Sequence, residues 1–129
     1  MKILLTLLLL IPSLSWSKDL SGIKLWCVRE IQDPNLKMSI NYILFDFIDE
    51  EKVDRHSISE NGIYKYSTNY QIEPSWILID YKKDEYNKID RKSLKIPNTY
   101  FNCEIKVISN VNIFIENFYY QKYESKNKI

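Results

Sequence analysis

Glycine and proline are scarce in this chain, two and four in 129 residues. Few positions can therefore reach a positive φ without strain or end a strand outright, and linker-like or low-complexity organisation is excluded. Histidine occurs once and cysteine twice. A single imidazole cannot build a multi-histidine metal centre. Ser57 and Asp54, one and two positions from His56, would not converge with it on one reacting atom along a strand, so no Ser-His-Asp triad is legible. His56 itself reads as a surface residue in the polar run 54–57. There is no glycine-rich phosphate loop, no nucleophile elbow and no Asn-x-Ser/Thr acceptor. Neither charge sign dominates, with 18 basic and 17 acidic side chains that are interspersed along the chain. That argues against a nucleic-acid or anionic-membrane binder, both of which need a sustained excess of Lys and Arg. Long apolar runs are missing after the first residues, so no membrane span is expected in the mature chain.

What is present begins with export. Lys2 precedes an apolar run over 3–11, Pro12 ends it, and Ser15 and Ser17 bracket Trp16 in small-x-small spacing. Residues 1–17 read as a signal peptide, which places the mature protein in the periplasm or outside the cell. Cleavage would leave about 112 residues, enough for one domain over 18–123, followed by a polar tail over 124–129. Removing Lys2 leaves 17 charges of each sign and a formal charge of zero. Cys27 and Cys103, in an oxidising compartment and without a Cys-x-x-Cys pair, are expected to form one disulfide between the first and a late strand.

Period-2 alternation marks the strands. Ile23, Leu25 and Cys27 alternate with Lys24 and Trp26. Ile43, Phe45 and Phe47 alternate with Leu44 and Asp46, and Phe101, Cys103, Ile105 and Val107 with Asn102, Glu104 and Lys106. Further strands are expected over 53–59, 63–72 and 76–81, then a hairpin over 86–96 that turns at 90–93. Asn61-Gly62 is the strongest turn signal, and Pro74 separates two strands. The fold class is mainly β: a small antiparallel β-barrel or sandwich of seven or eight strands. Residues 109–123 suit a helix or a strand, with Val111, Ile115, Phe118 and Lys122 favouring a helix packed on the barrel.

Two groups of side chains could carry function. Tyr64, Tyr66 and Tyr70 fall on one strand face with Ile72, and Trp76, Tyr81, Tyr86 and Tyr100 follow. Tyr64, Tyr66, Tyr70 and Trp76 are the expected ligand-binding residues, since such rings stack on a sugar, a lipid or a partner protein; packing in core and rim is the competing role. Asp46, Asp49, Glu50, Glu51 and Asp54 form an acidic cluster without EF-hand spacing, read as a solvated hairpin tip with its turn at 49–52. Asp80, Glu104 and Glu116 could pair as acid and base only if the fold brought them together. No catalytic set, cofactor or metal is expected.

The opening Gly22, Ile23, Lys24, Leu25, Trp26, Cys27 and the hairpin Ile89, Asp90, Arg91, Lys92, Ser93, Leu94 resemble the first strand and tight turns of lipocalin-like (calycin-like) small exported barrels. A cysteine after an aromatic in the first strand, a late partner cysteine and the loop Asn61, Gly62, Ile63, Tyr64 are similar to periplasmic lysozyme-inhibitor barrels. The wealth of Lys, Ile and Asn is similar to that of small exported bacterial proteins. The first resemblance implies a fold and not a ligand; export, neutral charge, aromatic content and the lack of a catalytic set lead to the expectation of a non-enzymatic binding module for an apolar or sugar-like ligand. The second implies a protein-binding inhibitor or an envelope assembly factor that acts through residues 61–66. The expected partner is accordingly a small ligand or an envelope protein.

Overall fold

Seven antiparallel strands lie in one sheet in the order β6-β5-β4-β3-β2-β1-β7. They are β1 (Lys24–Arg29), β2 (Tyr42–Phe47), β3 (Lys52–Ser59), β4 (Gly62–Ile72), β5 (Trp76–Ile79), β6 (Lys88–Asp90) and β7 (Phe101–Ile105). A helix, α1 (Val111–Tyr119), and a π-helical turn (Tyr120–Glu124) follow. The structure, a computed structural model, describes residues 20–29, 41–80, 88–97, 99 and 101–124. The expected signal peptide at 1–17, Tyr81, Tyr86, Tyr100 and residues 125–129 of the expected tail lie outside the described residues.

The sheet curls into a half-barrel because its inner face is apolar along its whole width. Leu25 and Cys27 of β1, Ile43, Phe45 and Phe47 of β2, Val53 of β3, Tyr70 of β4, Ile77 and Ile79 of β5 and Ile89 of β6 form one buried cluster. Residues 94–96 draw the two ends of the sheet together. Leu94 O accepts from Cys103 N at 2.8 Å, Ile96 N donates to Phe101 O at 3.3 Å, and Lys95 O accepts from Asp90 N at 2.9 Å. The turns follow the side chains that build them. Asp49 Oδ1 accepts from the N–H groups of Glu51 and Lys52, and Asp90 Oδ1 from those of Lys92 and Ser93. Gly62 supplies a φ of 136° at the β3–β4 turn.

The disulfide forms as expected. Cys27 and Cys103 are direct partners in the β1–β7 register, with S–S 1.95 Å and Cα atoms 3.9 Å apart. The amide of Cys103 points away from β1 toward Leu94 O. The two cysteines are thus a non-hydrogen-bonded pair, the cross-strand position where side chains lie closest.

Residues 111–119 are helical, and the reason lies beneath them. Val111, Phe114, Ile115 and Phe118 share one face at 3.6-residue spacing and pack on Trp26, Leu44 and Ile58, which alternation turns to the outer side of the sheet. Trp26 stacks with Tyr42 at 5.7 Å between ring centres and meets Phe114 and Phe118 edge-on at 5.2 and 4.9 Å. Asn110 caps the helix, its Oδ1 accepting from Ile113 N at 3.0 Å. The middle of the sheet is therefore covered on both faces.

Two expectations are corrected. His56 is 3% exposed rather than a surface residue, because its face of β3 lies below the helix. In β7 only Phe101 of the expected inner row is buried; Ile105 is exposed and Val107, beyond the strand, is 98% exposed. The edge strand has left the core by that point, and its alternation records only pleating.

Candidate functional site

The four aromatic residues expected to bind a ligand are divided by the sheet. Tyr64 and Tyr66 share the inner face with Tyr70, since their β3 partners Ser57 and Arg55 alternate with outward His56. Tyr70 is 3% exposed; its hydroxyl donates to Asp49 O at 2.6 Å and accepts from Leu20 N at 3.1 Å, and its ring meets Phe47. Tyr64 and Tyr66 are 58% and 43% exposed. Trp76 alternates with the core residues Ile77 and Ile79, so it stands on the opposite face, with Lys88 Nζ 4.4 Å from its ring centre. Two of the four, Tyr64 and Tyr66, form one exposed surface.

That surface has a backbone edge beside it. β4 pairs with β3 over residues 62–69 but with β5 only over 70–72, so among the described residues no strand pairs with the outer side of 62–68. The direction of its peptide groups follows from two hydrogen bonds. Tyr70 N donates to Glu51 O on the β3 side, and Asn69 O accepts from Asp80 N on the β5 side. Alternation then turns the N–H and C=O groups of Ile63, Lys65 and Ser67 outward. Arg55, opposite Tyr66, donates to its hydroxyl at 3.2 Å and lies 5.7 Å from its ring centre. Below, a cavity of about 70 Å³ is lined by Ile43, Phe45, Arg55, Ile79, Ile89 and Phe101, among others.

A second group lies on the outer face, at the open end of α1. Asp46 and Asp54 are cross-strand partners, and His56 is two residues beyond Asp54 on the same face. One potential ligand atom from each lies within 4.8 Å of the others. Lys24 Nζ is 3.6 Å from Asp46, Lys65 Nζ is 3.7 Å from Asp54, and Ser67 donates to Asp54 Oδ1. His56 Nε2 is buried without a hydrogen-bond partner. Burial pushes the imidazole below its ordinary pKa and Lys65 acts in the same direction, against the opposing pull of Asp54 and Asp46. These side chains, with residues 109–112, line an open pocket of about 340 Å³. The acidic cluster expected from sequence is thus split, since Asp49, Glu50 and Glu51 sit at the exposed β2–β3 turn. The β2–β3 loop closes one residue tighter than the expected turn at 49–52, with Ile48 N and Asp49 N both donating to Lys52 O, and this register sets Asp46 opposite Asp54. Asp80, Glu104 and Glu116 lie at the end of β5, on β7 and on α1. Comparison with known proteins finds no family model, curated protein or solved structure that matches this chain.

Proposed function

We propose that this protein is an exported, non-catalytic binding module that takes an extended segment of an envelope protein as an added strand on the outer side of β4. The observation that carries the reading is that no strand among the described residues pairs with the outer side of 62–68, beside which the rings of Tyr64 and Tyr66 are exposed. Outward N–H and C=O groups offer main-chain hydrogen bonds to any extended peptide, and alternate side chains beside them supply selectivity. Export is supported by the leader-like first residues and by the disulfide. No helix among the described residues is long and apolar enough to cross a membrane.

A second reading is a sugar-like or apolar ligand stacked on Tyr64 and Tyr66, favoured by the exposure of those two rings. A ligand enclosed in the half-barrel has less support: the inner cavity is about 70 Å³, against roughly 300 Å³ or more for a typical small-molecule pocket. The two readings separate with a pair of variants at one position. Lys65→Pro removes an outward N–H, whereas Lys65→Ala keeps it. Strand addition requires that a partner captured from envelope extract be lost with K65P and with Y64A and kept with K65A. Binding of a glycan or fatty acid that K65P leaves intact would favour the second reading, and no loss on K65P would remove the first.

A further inference from the structure

We propose that Asp46, Asp54 and His56 form a binding site for one divalent transition-metal ion of the Zn²⁺ type. One imidazole nitrogen and two carboxylates make a donor set suited to a borderline cation rather than to Ca²⁺, which takes six to eight oxygens. The three come from adjacent strands of a rigid sheet whose register sets their separation. Ligand atoms within 4.8 Å of one another need only rotamer adjustment to close around an ion about 2.0–2.2 Å from each.

The imidazole is the independent sign of a ligand. His56 is 3% exposed, and its Nε2 has no hydrogen-bond partner. Buried ring nitrogens are ordinarily satisfied, and neutral imidazole is the form that ligates metal. The lysines act as counter-ions that a metal would displace. Lys65 has a side chain 52% exposed and can turn into water. Lys24 Nζ also donates to Gly22 O at 3.3 Å and keeps that bond when it leaves Asp46. Ser67 would hold Asp54 in place through its Oδ1, as outer partners of metal ligands do. The open pocket beside residues 109–112 gives an ion bound by three protein ligands a fourth position for water or a small ligand.

The test uses the full oxidised chain, stripped with a chelator and dialysed against buffered Zn²⁺, with bound metal measured by emission spectroscopy. A parallel Co²⁺ titration reads the visible d–d bands. One ion per chain is expected. D54N and H56Q should each weaken binding by about tenfold or more. K65A should strengthen it, because a competing cation has gone, and E51Q at the hairpin tip should leave it unchanged. Far-UV circular dichroism checks that each variant folds; D54N and K65A, at partly exposed positions, keep the test decisive if H56Q does not fold. No binding below about 1 mM Zn²⁺ overturns the proposal, as does binding that D54N and K65A leave unchanged or that E51Q abolishes.

Discussion

Removing the disulfide with the double substitution C27A/C103A should cost this domain about 4–5 kcal/mol. The magnitude follows from the structure. The bond joins residues 76 apart in sequence, and closing a loop of that length restricts the unfolded chain by about 4.5 kcal/mol at 25 °C in the chain-entropy relation. Cys27 is fully buried among Leu25, Ile43 and Phe101, so its truncation adds a small packing loss, while residual compactness of the unfolded chain takes some of the entropy back. Alanine at both positions avoids leaving a buried thiol or hydroxyl in a site built for sulfur. Urea unfolding followed by tryptophan fluorescence is the assay. With a slope of about 1–1.5 kcal/mol/M for a domain of this size, the midpoint should fall by roughly 3 M. Reductant should move the wild type the same way and leave the variant unmoved. A loss below about 1 kcal/mol, or two titratable thiols in the oxidised protein, would refute the reasoning.

Three further outcomes are expected. Trp26→Ala removes the ring on which Tyr42, Phe114 and Phe118 converge; it should cost about 3–5 kcal/mol by chemical denaturation and loosen the helix, read as lost near-UV dichroism. Asn110→Ala deletes the cap that accepts from Ile113 N and should cost about 1 kcal/mol, while Asn110→Ser should restore most of it. Backbone N–H groups of Glu51 and Lys52 hold Asp49 below the usual carboxylate range, and those of Ser93 and Lys92 do the same for Asp90. A carboxyl whose folded pKa is depressed stabilises above its unfolded value, about 3.9 for aspartate, and loses that contribution as pH falls through the folded value. Urea midpoints measured from pH 5 downward should therefore fall more steeply in the wild type than in D49N/D90N, whose amide oxygens can still accept the same bonds; equal slopes would count against the assignment.

The residues that made the fold legible are those whose pattern has one physical meaning. Ile43, Phe45 and Phe47 alternate because one face of β2 is core, and Asn61-Gly62 turns because few other pairs tolerate the geometry. The cysteine pairing was readable from alternation on the first and last strands. What was not readable was the cover on the outer face. Trp26, Leu44 and His56 alternate outward in sequence as solvent-facing residues would, and only the docking of Phe114, Ile115 and Phe118 makes that face an interior. The polar group at its edge was hidden for the same reason. Asp46, Asp54, His56, Lys24 and Lys65 are drawn from four strands, and it is pairing register, a non-local property, that sets them side by side. The outer side of 62–68, which no strand pairs among the described residues, was equally silent, since the length of the β4–β5 pairing depends on where β5 ends.

The placement of the sulfur–sulfur bond determines how the molecule would respond to being pulled. Tension applied at the two ends of the chain enters at Cys27 and leaves at Cys103, passing through the covalent link. The strands from β2 to β6 lie inside that loop and bear no load. Helix α1 lies outside it, packed over Trp26, Leu44 and Ile58. Under force the helix would peel, with only the short ends of β1 and β7 that lie outside the loop, baring an aromatic face while the strands from β2 to β6 stay shielded.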